Sequence, residues 1–308
     1  MISYHYRSVH EEELKKLDKF RTGAWIHAVA PTREEMEYLQ TRFGLDADLL
    51  ADALDPDEIP RSEVEGEIVY VYMRYSFRRD DTVETDPVLL AIGPKFVATV
   101  SRHELPNLDR LRGSKDLVTT QRAKLLLVVL RHLLQSFETN GKLLDRQIRA
   151  VRARLSVANV SNRDFVHFVV IEDALNSFQA ELVPAHLVLQ TLLSGRYSLT
   201  FYEEDKDLIE DLVQDTRQLI ESSRSSLRTI VNIREAYSNI MTNNLNRRVG
   251  LLTSLTVVLT IPTIVFSLFG MNVPLPDQRS PWTTVWVLGL TFAAMVGVLY
   301  YLAKKRWL

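Results

Sequence analysis

The sequence predicts an α+β N-terminal domain of the α/β/α sandwich type, followed by a long helical stalk and a hairpin of two transmembrane helices. Before residue 117, short runs of β-branched and aromatic residues, which are typical of strands, alternate with segments whose apolar residues recur at the spacing of a helix. No glycine or proline occurs between residues 201 and 248, which favours one uninterrupted helix. Residues 249–269 and 282–303 are free of charge, and each stretch has the ~20 residues that span a bilayer.

The composition of the 308-residue chain excludes several classes of protein. The formal net charge is −2, so nothing indicates a nucleic-acid partner. Cysteine is absent, which excludes disulfide frameworks and thiolate metal sites. The first residues lack the apolar core of a signal peptide, so we expect the N-terminal part to stay in the cytoplasm.

The first domain, residues 1–117, is predicted to be a compact sheet with flanking helices. Residues 2–7 and 24–29 read as short strands. Thr32 and Glu35 have the spacing of a capping box at the start of a helix, and Gly44 is placed to end it. A second short helix is expected over residues 47–54.

Three further strands are predicted over residues 68–77, 88–92 and 96–100, and the last two would pair across residues 93–95. An acidic segment lies between the first two of these strands and contains Asp80, Asp81, Glu84 and Asp86. We interpret it as a solvated hairpin turn. The functional alternative is a carboxylate donor for a divalent ion.

Residues 118–200 are predicted to form a helical hairpin. Apolar periodicity supports a helix over residues 124–155, and a turn follows at residues 159–163. The returning helix, residues 165–193, would be bent or interrupted at Pro184. Residues 195–200 then read as a loop.

The stalk helix, residues 201–248, opens with an acidic cluster. A solvated helix start is the simpler interpretation, because the helix dipole favours carboxylates there. The alternative is a cation sensor. A carboxylate at a boundary between subunits would face a carboxylate of the neighbouring chain, and the two would repel each other unless a divalent ion lay between them. The cluster consists of Glu203, Glu204, Asp205, Asp207, Glu210, Asp211 and Asp215.

The first span, residues 249–269, carries hydroxyl side chains at steps of three and four, which places them on one helix face. This hydroxyl stripe consists of Thr253, Thr256, Thr260, Thr263 and Ser267. Gly250, Asn246, Asn243 and Asn239 continue it backwards. The stripe either lines a wet pore shared by several chains or bonds a neighbouring helix or its own backbone. Uncharged oxygens suit an ion that keeps its water, as Mg²⁺ does.

Charge next to the spans predicts their orientation. Arg247 and Arg248 precede the first span, and the basic tail, residues 304–308, follows the second. The positive-inside bias then places both termini in the cytoplasm and the loop, residues 270–281, outside. No P-loop, GxGxxG or HExxH motif occurs, so we expect neither an enzyme nor nucleotide-driven transport.

The loop begins with Gly270-Met271-Asn272, and here the sequence resembles the CorA family of divalent-cation transporters. An apolar helix ending in this tripeptide, a short loop, a second span and a lysine-rich end follow the family's order. From Tyr237 onward individual residues match the family's pattern, whereas before Tyr237 only the order of the domains does. Residues at family-like spacings before the motif are Tyr237, Asn243, Asn246, Leu252, Thr253 and Thr263.

The resemblance implies a homopentamer in the cell membrane, with the first span lining the pore. Gly270, Met271 and Asn272 would form the outer selectivity ring, with the amides of Asn272 contacting the hydrated ion. Thr263 and Asn246 would form further polar rings. Val249 and Leu252 would form the hydrophobic constriction.

The resemblance also implies regulation by cytoplasmic Mg²⁺. Asp211 falls at the family's stalk carboxylate position, which bridges through Mg²⁺ to an acid of the adjacent subunit. Asp80 or Asp81 is our choice for that acid. Bound ion would hold the subunits together and the pore shut.

Two departures from the family pattern are visible. Many members carry a glutamate soon after the tripeptide, whereas here only Asp277 is acidic and Arg279 partly offsets it. Val249 stands where a methionine is common, so gating would depend more on Leu252.

The intact tripeptide favours Mg²⁺, with Co²⁺ and Ni²⁺ as further cargo, over a ZntB-like Zn²⁺ transporter. The alternative of another class is a non-conducting, membrane-anchored signalling scaffold.

Overall fold

A computed structural model of the chain describes residues 1–155, 162–197, 199–271 and 281–304. The chain divides into two compact units, Met1–Val231 and Asn232–Leu308. The strands of the described residues are β1 (Ile2–Tyr6), β2 (Lys15–Leu17), β3 (Trp25–Val29), β4 (Arg61–Glu65), β5 (Ile68–Arg79), β6 (Thr82–Ile92) and β7 (Val97–Ser101). The helices are α1 (Arg33–Phe43), α2 (Ala47–Asp52), α3 (Leu108–Arg112), α4 (Arg122–Leu155), α5 (Asn162–Leu193), α6 (Glu203–Phe269) and α7 (Pro281–Lys304).

The strands form one sheet in the order β2-β1-β3-β7-β6-β5-β4. Neighbouring strands are antiparallel except β3 and β7, which are parallel. As predicted, β6 and β7 pair across residues 93–95, with Ile92 opposite Val97. The sheet therefore has mixed topology, with β7 at its centre and the long antiparallel β5–β6 hairpin between β7 and the edge strand β4.

The two faces of the sheet are covered by different helices, which confirms the α/β/α sandwich. Residues of α1 and α2, including Leu39 and Leu50, pack with Tyr70 and Tyr72 of β5 in one apolar core. On the other face α4 packs on β5 and α5 packs on β6. Side chains alternate between the faces along a strand, so β5 contributes to both cores.

The local signals for α1 are confirmed. The Thr32 hydroxyl accepts a hydrogen bond from the Glu35 amide, and the Glu35 carboxylate accepts one from the Thr32 amide. These are the two bonds of a capping box. Gly44 ends the helix with a φ of 71°, a left-handed conformation that costs glycine little.

The helices α4 and α5 pack against each other as the predicted hairpin, with the rings of Phe137 and Phe178 edge to face at 4.9 Å. Pro184 lies inside α5, which continues through it as one helix. The helix α6 has 67 residues and contains both the stalk and the first span, so the predicted long helix is one element.

The prediction of a four-carboxylate acidic turn is wrong for two of its members. The strands β5 and β6 stay paired as far as Arg79 and Thr82, so the turn contains only Asp80 and Asp81. Glu84 and Asp86 lie within β6.

Other differences concern short elements. The predicted turn at residues 159–163 overlaps α5, which begins at Asn162; residues 156–161 lie outside the described part. The prediction missed β2 and β4, which are edge strands of three and five residues, and α3. Such elements carry too few residues for a periodic signal.

A buried histidine on β3 makes the stability of the first unit depend on pH. His27 is 2% exposed, and its Nδ1 lies 2.9 Å from the Thr99 hydroxyl. Burial lowers the pKa of His27 to about 3, and the charges of His5, Arg112 and the N-terminal amine lower it further. The imidazole binds a proton more tightly in the unfolded chain than in the folded one. The stability that neutral His27 contributes is therefore fully present above pH 6.5 and is lost as the pH falls toward 3.

We expect the free energy of unfolding to fall by about 2 kcal/mol between pH 7 and pH 5 because of this one residue. In His27→Gln the difference in unfolding temperature between these pH values should shrink. Circular dichroism melts of the full-length protein in detergent measure it. The matched control is His10→Gln, which removes an exposed histidine. An unchanged pH difference in His27→Gln would contradict this role.

Candidate functional site

Both candidate spans lie in the second unit, and each has one row of less exposed residues. Ser254 and Val258 on α6 are 1% and 5% exposed, and Thr291 on α7 is 4% exposed. Gly250, Ile261 and Val265 continue the row on α6, at steps of three and four. The prediction that Gly250 belongs to the hydroxyl stripe is therefore wrong, because it lies one turn before Ser254 in this row. We infer that these rows form the seam along which the two helices pack.

The predicted hydroxyl stripe lies on the other side of α6. Thr256, Thr260 and Thr263 follow Ser254 by two, six and nine positions, which at 3.6 residues per turn places them roughly opposite the seam. Their side chains are exposed within the chain, as are those of Thr253 and Ser267. The hydroxyl face is therefore left open for contacts outside this chain.

The threonine hydroxyls are not free donors. Thr256, Thr260 and Thr263 each donate a hydrogen bond to the carbonyl four residues earlier, with Oγ1···O distances of 2.9, 2.8 and 3.0 Å. The second of our two interpretations of the stripe, bonding to its own backbone, therefore applies in the isolated chain. A donating hydroxyl still keeps lone pairs, so these oxygens can accept hydrogen bonds from water.

The remaining surfaces of the spans are apolar and exposed. The most hydrophobic windows of α6 and α7 are only 11% and 6% buried, so neither is the core helix of a soluble domain. Trp282, Trp286 and Tyr300 lie exposed near the two ends of α7. This distribution is typical of lipid-facing helices with interfacial aromatic residues.

The end of α6 coincides with the start of the tripeptide. The Gly270 amide donates to the Phe266 carbonyl at 2.9 Å and closes the last turn. A Cβ at this position would lie 3.1 Å from that carbonyl oxygen, which is crowded. Met271 follows as an exposed residue, while Asn272, Asp277 and Arg279 lie outside the described residues.

The residues predicted for the polar ring and the constriction also lie exposed on α6. Val249 and Leu252 are 53% and 66% exposed, although both are apolar. Asn246 is exposed as well. All three lie within about 80° of the hydroxyl stripe's direction, so one face of the helix carries every predicted pore residue that is described.

The stalk carboxylate Asp211 lies in the first unit, on the part of α6 that faces α4. It lines a cavity of about 630 Å³ together with Glu138 of α4 and Asp215 of α6. Burial raises the pKa of Asp215, and the negative charges of Asp211 and Glu138 raise it further. Lys142 lines the same cavity and pairs with Glu138, and Arg131 further offsets the negative charge, so Asp211 and Asp215 are the carboxylates that repel each other most directly here.

The other predicted regulatory acids lie apart from this cavity. Asp81 is almost fully exposed, with its carboxylate 3.3 Å from Arg78 Nη2. Asp80 has a positive φ of 53° in the turn. Asp86 is buried and pairs with His103 and Arg102. Within the described residues of one chain, no group of three or more acidic or histidine side chains is arranged to hold a metal ion.

The sequence placed Asp215 in the same acidic cluster as Asp211 but did not indicate Glu138 as their companion. Asp215 follows Asp211 by one helical turn, so the spacing alone could have paired them. Glu138 lies 73 positions earlier in the chain, on a helix whose polar face carries many charges. Only tertiary packing brings Glu138 to this cavity.

Comparison with known proteins agrees with these features. The model of the family described as CorA-like Mg²⁺ transporter protein matches residues 21–306. The cobalt/magnesium transport protein CorA of Methanocaldococcus jannaschii is 22% identical over 294 residues, which cover 92% of this chain and 91% of that protein.

Solved structures show the same fold. The complete structure of the CorA magnesium transporter from Methanocaldococcus jannaschii superposes with a TM-score of 0.88 at 21% identity, covering 100% of this chain and 99% of that one. The cytoplasmic domain of ZntB from Vibrio parahaemolyticus has a TM-score of 0.63 at 8% identity, covering 78% and 98%. The sandwich, the long helix and the two membrane-length helices are thus shared with full-length CorA. The chain belongs to the CorA-like Mg²⁺ transporter family, a family of membrane proteins that transport divalent cations.

Proposed function

We propose that five copies of the chain form a channel-like transporter that conducts Mg²⁺ down its electrochemical gradient. The observation that most strongly supports this proposal is the position of the hydroxyl stripe, which lies exposed on α6 roughly opposite the inferred α6–α7 seam. One such face per chain cannot enclose a pore. A closed ring of identical chains turns five faces into one continuous lining.

The chemistry of the stripe suits a hydrated ion. The hydroxyls of Thr256, Thr260 and Thr263 donate to their own helix and their oxygens keep lone pairs, so the lining presents acceptors. The water molecules around Mg²⁺ point their hydrogens outward, and Mg²⁺ gives up these waters reluctantly. Acceptor oxygens can therefore bind the water shell without replacing it. Co²⁺ and Ni²⁺ are further cargo under this proposal.

The two ends of the stripe have different roles. Gly270, Met271 and Asn272 form the outer selectivity ring, and Asp277 adds a weak acidic ring at the mouth. Val249 and Leu252 form a hydrophobic constriction at the cytoplasmic end, where apolar rings oppose ion passage by excluding water. Both chain termini are cytoplasmic.

Cytoplasmic Mg²⁺ regulates the pore by binding between subunits. Asp211 is exposed and lies one helical turn from Asp215, whose pKa its charge raises, while the nearby Glu138 is already paired with Lys142. A divalent ion between Asp211 and an acid of the next subunit, Asp80 or Asp81, relieves this repulsion and holds the subunits together. Loss of the ion shifts the population toward the open state.

A matched pair of substitutions tests which face of α6 lines the pore. We expect Thr260→Val, which keeps the shape but removes a hydroxyl from the stripe, to lower Mg²⁺ flux into proteoliposomes several-fold. Ser254→Ala removes a hydroxyl from the seam, where its Oγ is buried without a hydrogen-bond partner among the described residues. We expect that variant to transport normally. The reverse result would place the pore on the seam side and refute the proposal.

The same assay separates the ions. Mg²⁺, Co²⁺ and Zn²⁺ are offered in competition, and Mg²⁺ transport predicts that Mg²⁺ dominates the uptake. The shared fold with the ZntB cytoplasmic domain does not distinguish the cargo, because at 8% identity it shows architecture alone.

A further inference from the structure

A basic cavity lies at one end of the sheet in the first unit, and none of the residues assigned to transport lines it. It has a volume of about 550 Å³ and lies between the β1–β2 connection and the end of α3. Its lining includes His5, Arg7, Lys16 and Arg112. His5 and Lys16 are directly opposite each other in the antiparallel β1–β2 pair, so their side chains share one face of the sheet.

The cations of this cavity lack close carboxylate partners among the described residues. Arg7 is buried, and its guanidinium donates to the carbonyl oxygens of Glu11 and Ser114 at 3.1 and 2.8 Å. Arg112 reaches only the exposed Asp109, at 3.7 Å, and its Nε is buried without a hydrogen bond. Within the part of the chain that the structure describes, no ion pair forms at Lys16. Arg7 is the buried cation of this group, and its partners are neutral carbonyl oxygens. A buried charge without a counter-charge is costly, which favours an anion in the space it faces.

Acids also lie near the cavity. Glu12 and Glu13 line it, and both are exposed, so water screens their charges. Burial lowers the pKa of His5 to about 4, and the charges of Arg112 and Lys16 lower it further, so His5 is neutral at pH 7 and both cations lie close to it.

We propose that this cavity binds a phosphate group, either free or as the ester of a small metabolite, with Arg112 and Lys16 as its main donors. A guanidinium offers two N–H groups in a fork that matches two phosphate oxygens. The amine of Lys16 adds a point charge at the open side, and Arg7 adds a fixed buried charge. The site goes beyond ion transport and does not depend on the transport proposal.

Equilibrium dialysis of the full-length protein in an uncharged detergent tests the proposal. The probe is radiolabelled inorganic phosphate at constant ionic strength, in buffer freed of divalent metals by a chelating resin. We expect saturable binding that approaches one phosphate per chain. Arg112→Gln and Lys16→Gln should each weaken it by about tenfold, the loss of one charge-assisted contact. A second arm uses AMP as the ester, and tighter binding of AMP than of phosphate identifies an ester as the ligand.

The matched control is Arg110→Gln, which removes an exposed positive charge from the same helix without touching the cavity. This variant should bind phosphate like the unmodified protein. Lys16 is exposed on an edge strand, so its replacement should leave the fold intact. Absence of saturable binding, or equal weakening by Arg110→Gln and Arg112→Gln, would overturn the proposal.

Discussion

Asn272→Ala is expected to reduce Mg²⁺ uptake into proteoliposomes to the background of empty vesicles. The substitution removes five amide groups at once from the ring that, under our proposal, contacts the hydrated ion. Nothing else in the tripeptide replaces them, because Gly270 has no side chain and Met271 is apolar. Uptake is measured with an Mg²⁺-sensitive dye trapped inside the vesicles, in the presence of a membrane potential.

The control for Asn272→Ala is Gln278→Ala, which removes another amide from the same loop and should transport normally. Native mass measurement should give five copies of the chain in both variants. Wild-type flux in Asn272→Ala would remove this residue from the selectivity ring. A dimeric mass for the unmodified protein would favour the signalling scaffold, because two hydroxyl faces cannot enclose a pore.

Asp211→Ala is expected to leave the transporter active at Mg²⁺ concentrations that inhibit the unmodified protein. Under our proposal, removal of this carboxylate weakens the ion bridge between subunits and shifts the equilibrium toward the open state. We expect the inhibitory concentration of cytoplasmic-side Mg²⁺ to rise roughly tenfold, a coupling energy in the usual range for ligand-linked states. The measurement is flux against Mg²⁺ concentration on that side.

The matched control is Asp207→Ala. Asp207 is exposed one turn earlier on α6 and does not line the cavity with Glu138 and Asp215. Its replacement removes the same charge from the same helix and should leave inhibition unchanged. An unchanged inhibition curve in Asp211→Ala would exclude this residue as the sensor. Equal shifts in both variants would indicate a general charge effect of the stalk.

The parts of the fold that sequence reasoning predicted are those with strong local or periodic signals. The Thr32 capping box, the Gly44 helix end and the long helix without glycine or proline all follow from chemistry within a few residues. The edge strands β2 and β4 were missed because they are short, and sheet pairing holds them in place. The acidic segment was misread because pairing with β5 extends β6 back to Thr82, past two acidic residues.

In the candidate site, too, the features set by one helix could be predicted from the sequence and those set by distant contacts could not. The hydroxyl stripe is a property of one helix, so its spacing alone predicts a common face. Its position opposite the seam depends on where α7 packs, and no spacing within α6 contains that information. The Asp211 cavity needs Glu138 from a distant helix, and the proposed phosphate site needs Arg112 to approach β1 and β2. Such contacts between distant segments arise only on folding.

The bonds from the threonine hydroxyls to their own helix also bear on how the protein is made. Under the proposed assembly, a single chain that enters the bilayer before it meets its partners has a stripe that faces hydrocarbon. Unsatisfied hydroxyl donors would then be costly. Because Thr256, Thr260 and Thr263 donate to carbonyls of α6, such a helix carries few unmet polar groups. The proposal therefore allows membrane insertion and assembly to be separate steps, with the polarity of the stripe used only once water lies between the assembled chains.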